Sequence, residues 1–431
     1  MARSTKQQAI LFVGKLPFKL TSSLTTANLH GSSKLLLIQE HELPTPTDRL
    51  SYNAIFHTNF HQQTPLDQTL AKIENEFTIS AVFGLSEIGV LPAAYLTQKA
   101  GIKGNTINTA LACRNKHTMR MALSKANVSV PKFHLYQTHS SLTDTENACG
   151  EYPLICKPLL GFASKGVIRA DNREELVKAI RRINRDNAFV LSSFYNLFCP
   201  EDVNKVLVES FATGKEYAVD GIVVDGEAQI LQIIDKPDVS NGPYFPDSVH
   251  ISPANIDDNA KNQLIIATKS SVAAVGLVNG PFHLEARIDQ DIVNVIEIGA
   301  RIGFPRLLKL STGLDIVKLT IEQHFKAKLA DTIGPTCFAG NLCINPETAG
   351  FFNGISNLET LRKLPNVDEI VVFVQPGDKV HPPPDSSGYI GFAIVKGNSY
   401  DEVATTLYEI RDTIQIDIKQ RRIDCDAKNN N

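Results

Sequence analysis

Two segments constrain this chain more than any other part of it: Pro281-Phe282-His283-Leu284-Glu285-Ala286-Arg287 and Val295-Ile296-Glu297-Ile298-Gly299-Ala300-Arg301. Each sets an acidic residue inside an apolar, strand-like run, where a carboxylate is costly unless its charge is compensated. Asp289-Gln290-Asp291 between them has turn composition, so an antiparallel hairpin is expected. Pairing Ile288 with Ile292 puts Phe282, Leu284, Ala286 and Ile288 on one face with Ile292, Ile296 and Ile298, leaving only Asn294 out of place. His283, Glu285 and Glu297 then share the other face, because side chains alternate along a strand. Two carboxylates about 4 Å apart repel by roughly 4 kcal/mol at an effective dielectric near 20. A hard divalent cation such as Mg²⁺ would remove that cost, and it typically works through one or two carboxylates plus substrate phosphates. The competing reading is two strand carboxylates, each paired with an Arg or Lys. The hairpin alone leaves both open.

A chain of 431 residues, 43% hydrophobic and 21% charged, has the balance of a globular protein with more than one domain. Its formal net charge is −3 with Lys and Arg scattered, which argues against a nucleic-acid surface. The apolar run 9–13 is too brief for a signal segment, and no stretch reaches the length of a membrane span. Cys113, Cys149, Cys156, Cys199, Cys337, Cys343 and Cys425 are odd in number and dispersed without a CxxC pair. They read as reduced thiols of a cytoplasmic protein.

Along the first hundred residues, strand-like runs at 9–13, 34–39 and 78–83 and a helical pattern over 87–100, closed by Gly101, predict a small parallel α/β domain. The stretch 56–66 is polar and weakly patterned, and His57 and His61 there read as exposed loop histidines. A continuous helix is expected over 110–126, the start of a strand at 128–131, a strand at 152–158, and a helix over 172–184 capped by Asn172 or Asp171. Strands follow at 206–210, 216–224 and 228–235, the last two joined at Asp225-Gly226. Helices are expected over 259–275, 314–325 and 400–412, with short strands and Pro/Gly-rich turns beyond 333.

Two further segments suggest nucleotide handling. Lys157-Pro158 ends a strand ahead of Gly161-Phe162-Ala163-Ser164-Lys165-Gly166-Val167, where small residues could turn backbone N–H groups toward phosphate oxygens. It is neither a Walker loop nor GxGxxG, and a flexible hairpin tip fits it as well. In Glu209-Ser210-Phe211-Ala212-Thr213-Gly214-Lys215-Glu216, an acidic residue at a strand end followed by exposed backbone suits an adenine base. Taken alone it is a hairpin with a Glu before its turn.

In this order, the elements resemble the ATP-grasp family: Gly84-Leu85-Ser86-Glu87, Arg114-Asn115-Lys116, Lys157-Pro158 with its loop, Glu209 to Tyr217, His283-Leu284-Glu285, and Glu297 to Arg301. The resemblance runs from about residue 84 to 318 and is nearest to amino-acid ligases, with Gly388-Tyr389-Ile390-Gly391-Phe392 and the helix 400–412 similar to their closing domain. It implies an α/β and α+β multidomain fold: a pre-ATP-grasp domain over 1–112, two clasping subdomains over 113–200 and 201–330, and a closing α+β region over 331–431. It implies ATP and Mg²⁺ (or Mn²⁺) as cofactors, with small carboxylate and amine substrates of amino-acid type; dimerisation is common in the family. By position, Lys116, Lys157, Ser164, Gly166, Glu209, Phe211 and Glu216 would bind ATP. Glu285, Glu297 and Asp247 would hold metal, Arg301 would serve catalysis and hold the substrate carboxylate, and His250 would contact substrate. The implied reaction is amide formation through an acyl phosphate.

The chain departs from the family at Gly299, where many members carry a metal-binding Asn, and at Arg301-Ile302-Gly303-Phe304-Pro305, which replaces Arg-x-Gly-Gly. Lys236 is placed equally well on phosphate or on the surface. Bicarbonate activation as in biotin carboxylases, formate activation in purine synthesis, an amine on a carrier, and a non-catalytic nucleotide-binding regulator remain as alternatives.

Overall fold

The computed structural model describes residues 6–14, 33–40, 49, 52–137, 139–161, 164–187, 193–199, 202, 205–326, 334–382, 385 and 389–420. Expectations that fall on residues 1–5, Phe162, Ala163, 333, Gly388, Cys425 and the last residues of the chain lie outside these.

Four strands, β1 (Gln7–Val13), β2 (Lys34–Gln39), β3 (Ala54–His57) and β4 (Phe77–Gly84), form an all-parallel sheet in the order β3-β2-β1-β4. Ala9 to Val13 are buried without interruption, as expected of a parallel strand covered on both faces. Strand β3 ends, and the helix Gln63–Glu76 begins, within the stretch 56–66 read as polar and weakly patterned. That helix is held by Leu66, Leu70 and Ile73, an apolar stripe too thin to stand out among polar neighbours. Ahead of Gly101, whose φ is +66°, the expected helix is a 3₁₀ turn at Glu87–Gly89 running into Val90–Lys99.

The helix expected over 110–126 is two, Ile107–Arg114 and Lys116–Lys125, divided at Asn115. Asn115 is extended (φ −95°, ψ 113°), and its Oδ1 accepts from the backbone N–H groups of His117 and Thr118. This is N-cap chemistry, and it starts a new helix at Lys116.

A second sheet, β5 (Phe133–Tyr136), β6 (Leu154–Pro158), β7 (Ile168–Ala170) and β8 (Val206–Ser210), is antiparallel in the order β5-β8-β6-β7. The helix Arg173–Asn187 covers it with Leu176, Ala179, Ile180 and Ile183, and Asn172 accepts from the Glu175 N–H at its start. Strand β8 lies beyond residue 200 yet pairs into this sheet, so the break between the two sheets falls after Ser210. The strand expected from 128 begins at Phe133.

The third sheet has eight strands: β9 (Lys215–Val224), β10 (Glu227–Lys236), β11 (Val249–Ser252), β12 (Gly280–Asp289), β13 (Ile292–Gly299), β14 (Phe338–Ile344), and, beyond β15 (Gly350–Ile355), β16 (Val367–Val372) and, after β17 (Lys379–Val380), β18 (Gly391–Gly397). Their order is β13-β12-β9-β10-β11-β14-β18-β16, so three strands of the closing region extend the same sheet. β15 and β17 form a small sheet with β19 (Ile416–Lys419). Asp225-Gly226 and Gln290-Asp291 close their hairpins with positive φ at both positions, the two-residue turn that matches strand twist. A helix at Pro305–Thr312, not expected from the sequence, precedes Ile316–Lys326. Among the described residues, no helix is long and apolar enough to cross a membrane.

The acidic hairpin forms, with a corrected register. Ile288 pairs with Val293, not Ile292, and Ala286 with Val295; an extra residue, Ile296, then brings Glu285 opposite Glu297. The buried face is Phe282, Leu284, Ala286, Ile288, Val293, Val295 and Ile298, whereas Ile292 is 57% exposed. The bulge, absent from strict alternation, lets the outer valines face inward while Glu297 still faces out.

Candidate active site

A cleft of about 460 Å³ is walled by all parts of the chain, with Glu87 from the parallel sheet's end, Lys116, Lys157 from β6, Glu285 and Glu297 from the hairpin, and Tyr389 and Phe392 near β18. The acidic pair of the hairpin lies here. Glu285 and Glu297 are cross-strand partners on the cleft side, 22% and 25% exposed, and each is paired with a lysine. Lys116 Nζ donates to Glu297 Oε1 at 2.9 Å and to the Gly161 carbonyl at 3.2 Å. A cation at the first position of a helix opposes the helix dipole, so Lys116 owes its place to this carboxylate.

Lys236, weighed between phosphate and the surface, is buried among three carboxylates: Glu216 at 2.5 Å, Asp247 at 3.0 Å and Glu285 at 3.2 Å. Burial alone would lower its pKa, but Asp247, Glu216 and Glu285 raise it well above the usual lysine value. Burial would raise the pKa of Glu285; Lys236 and His283 overcome this and lower it. Asp247 is likewise kept ionised against burial by Lys236 and His250, and its Oδ2 accepts from Tyr389 Oη at 2.7 Å.

Glu209, expected to face adenine, lines the cleft with both oxygens engaged, by Arg120 Nε at 2.5 Å and Lys157 Nζ at 2.6 Å. Burial is again outweighed, and its pKa is lowered. Arg120 lies one helical turn after Lys116, on the same face, and its Nη2 also donates to the carbonyl of Ile296 at 2.6 Å. Phe211 lies under two guanidinium groups, Arg287 at 5.1 Å and Arg169 at 5.3 Å from its ring centre. Glu216, expected near ribose, lines the cleft while held between Lys236 and Arg287, the latter at 2.8 Å. In the glycine-containing loop, Ser164 (φ +54°) lines the cleft beside Lys165, whereas Gly166 (φ +75°) does not.

Arg301 Nε donates to Glu87 Oε2 at 2.6 Å, and Arg114 binds the other oxygen of Glu87. Burial would raise the Glu87 pKa, but Arg114, Arg301 and Lys116 lower it to about 2. The Gly299 departure has a steric counterpart, since a β-carbon there would lie 3.3 Å from Arg301 Cγ and 3.6 Å from Glu87 Oε2. Gly303 is similarly required, because a β-carbon would run into Asp220 and His283. Asp220 accepts from the Phe304 N–H at 2.7 Å and lies 2.7 Å from His283 Nδ1, and His283 Nε2 lies 3.4 Å from Glu285 Oε1.

His250 is not where a direct substrate contact would be. It is fully buried behind the cleft wall, its ring 4.3 Å from that of Phe304 and its Nε2 3.6 Å from Asp247. Arg120, Arg287, the Asp220–His283 pair and the partnership of Glu87 with Arg301 were missed in the sequence. Only Arg120 carried a signal there, its spacing of four from Lys116. Among the described residues no group of three or more His, Cys, Asp or Glu is arranged as a metal cage. The donor set suits an ion that takes two carboxylates and completes its shell with phosphate and water.

A parallel leading sheet, two antiparallel sheets closing on a lysine- and carboxylate-lined cleft, and a cross-strand acidic pair define an ATP-grasp fold. Residues 150–304 match the ATP-grasp domain, and residues 343–419 match L-amino acid ligase C-terminal domain 2. The structure of an L-amino acid ligase from Bacillus licheniformis superposes with a TM-score of 0.82 at 26% identity, covering 96% of this chain and 100% of that one. Alanine–anticapsin ligase of Bacillus subtilis is 27% identical over 283 residues, 61% of this chain and 58% of that protein. Dapdiamide A synthase of Enterobacter agglomerans is 24% identical over 238 residues, 55% of this chain and 54% of that protein. The chain thus spans somewhat over half the length of these curated relatives.

Proposed function

We propose that the protein is an ATP-dependent carboxylate–amine ligase that joins two amino acids, releasing ADP and phosphate. The observation that carries this reading is the juxtaposition, in one cleft, of Glu285 opposite Glu297 with Lys116, Lys236 and Arg301. Glu285 and Glu297, with Asp247 behind Lys236, would hold Mg²⁺, which when bound neutralises phosphate charge. Lys116 and Lys157 would lie against the phosphates beneath the loop carrying Ser164 and Gly166. The base would rest at Glu209 to Ala212, with the Phe211 backbone at the hinge and Glu216 toward the ribose.

In the first step a substrate carboxylate oxygen attacks the γ-phosphorus of ATP, and the bond to the β-phosphate oxygen breaks to give ADP and an acyl phosphate. In the second, the amine of the other substrate attacks the acyl carbon, phosphate leaves, and the nitrogen loses a proton. The planar fork of Arg301, tied at Nε by Glu87 and at Nη1 by the Ile302 carbonyl at 3.0 Å, would grip an oxyanion through Nη2. No covalent enzyme intermediate is required, in keeping with the Cys113 and Cys156 thiols, whose pKa values burial pushes well above the ordinary thiol range. The test is phosphate release from ATP and Mg²⁺ across every pair of amino acids. ATP binding without ADP formation across the whole panel would favour a regulator instead.

A further inference from the structure

We propose that Arg120 is a positioning residue that couples the base end of the cleft to the acidic hairpin, so that recognition of the nucleotide base and metal binding at Glu297 depend on one buried guanidinium. This rests on the nucleotide placement in the reading above. Arg120 has no exposed surface and does not line the cleft, so it acts only through the groups it holds. A cation taken wholly out of water is costly unless its hydrogens are engaged. Its Nε donates to Glu209 Oε1 at 2.5 Å and its Nη2 to the Ile296 carbonyl at 2.6 Å, while Nη1 meets Met119 Sδ at 3.8 Å.

The two short contacts belong to different sheets. Glu209 lies on β8, where its other oxygen accepts from Lys157 Nζ at 2.6 Å. Ile296 lies on β13, at the end of the eight-stranded sheet, and is the extra residue that brings Glu297 opposite Glu285. An edge strand leaves backbone groups without ladder partners. Here the Val295 N–H donates to the Ser129 carbonyl at 2.9 Å, the Ile296 carbonyl accepts from Arg120, and the Ile298 N–H donates to Met119 Sδ at 3.4 Å. The helix Lys116–Lys125 and the residues after it thus fix the strand on both sides of Glu297. Lys116, one turn before Arg120, holds the carboxylate itself.

Glu209 and Ile296 both line the cleft, so a ligand reaches either end of this bridge. A purine amino group placed at Glu209 would donate to a carboxylate already held by Arg120 and Lys157. A carbonyl oxygen at the same ring position would be repelled by it. The difference passes to Ile296 because a closely packed guanidinium cannot follow one partner without drawing on the other. A small shift of the bulge carbonyl turns Glu297, the next residue. Arginine suits this task and lysine does not. The rigid fork holds two acceptors in fixed directions, whereas an ammonium on a flexible stem is a point charge.

The test compares ADP with IDP, which carries an oxo group where adenine has its amino group. Calorimetry measures the Kd of Mn²⁺ for the full-length protein saturated with each nucleotide. In the wild type Mn²⁺ should bind roughly tenfold tighter to the ADP complex, an ordinary size for coupling between two sites. In Arg120→Lys, which keeps a positive charge beside Glu209, the two affinities should become equal. Thermal unfolding without nucleotide shows that the variant is folded. A merely structural ion pair would lower the melting temperature and leave the ratio as in the wild type. Equal Mn²⁺ affinity in the two wild-type complexes, or an unchanged ratio in folded Arg120→Lys, would overturn the coupling. The wild-type comparison needs no variant, so it decides the matter even where Arg120→Lys does not fold. Coupling without phosphate release from any amino-acid pair would keep this role for Arg120 and overturn the ligase reading. Absence of ADP binding would overturn both.

Discussion

Arg301 and Glu87 stand 214 residues apart in sequence and are joined at 2.6 Å across the floor of the cleft. The contact ties the end of the acidic hairpin to the 3₁₀ turn that leaves the parallel sheet, so an N-terminal residue orients the guanidinium to which the proposed chemistry assigns the oxyanion. Replacing Glu87 by Gln keeps the volume and removes the charge. We expect kcat to drop about a hundredfold, the cost of a misplaced catalytic group, with little change in KM for ATP. Initial-rate kinetics with both substrates varied will separate the two.

The same carboxylate predicts the acid limb of stability. Its pKa in the fold is about 2, below the ordinary 4.5, so the unfolded chain binds the proton more tightly. Its contribution is therefore complete above about pH 4.5 and is lost as pH falls toward 2. Urea unfolding at a series of pH values should show a shallower fall in Glu87→Gln than in wild type over that window.

Glu285 and Glu297 face each other with a lysine on each. Glu297→Ala, or Glu285→Gln, should reduce phosphate release by roughly a hundredfold or more, the scale for losing one group that stabilises transferring charge. Calorimetric titration of Mn²⁺ into the ADP complex should show weakened binding in both. Glu297→Ala with undiminished turnover at ordinary Mg²⁺ would remove the basis of the proposed chemistry.

Asn115 caps the Lys116 helix and also donates to Tyr195 and Asp202, at 2.6 Å each. Asn115→Ala is expected to cost about 2–3 kcal/mol, about 1 for the cap and the remainder for buried polar partners left unmatched. Chemical denaturation measures the loss, and a raised KM for ATP would follow from the shifted lysine.

Gly303→Ala adds only a methyl group, yet it meets Asp220 and His283 in a buried, hydrogen-bonded arrangement. Overpacking of this kind costs about 1–3 kcal/mol. Thermal unfolding should register it, together with a larger loss of activity than of stability, because His283 lies against Glu285.

What could be read in advance follows from where the information resides. Three of the four parallel strands, the hairpin at Asp225-Gly226, the existence though not the register of the hairpin expected at Asp289-Gln290-Asp291, and the helix over 400–412 were legible because turn chemistry and periodicity are local. The division at Asn115 was not, because the flanking residues continue a helical pattern and only the side-chain cap breaks it. The helix Gln63–Glu76 was hidden by its thin apolar stripe. Within the cleft, Glu285 and Glu297 were legible as carboxylates in apolar strands. Their lysines, and the grip of Glu87 on Arg301, arise only when distant segments are brought together. His250 fails as a direct contact because a position three residues after Asp247 turned out to face Phe304 rather than the opening.

The supernumerary Ile296 gives one strand two jobs that plain alternation would set against each other. Toward its tip it is structural lining, and toward its root it is a tool holder. Loops, tags or reporter peptides spliced in at Gln290-Asp291 would leave the root in phase. Re-engineering between Val295 and Arg301 must instead keep the spacing residue for residue, since a slip of one position would aim the glutamate into the oily layer beneath.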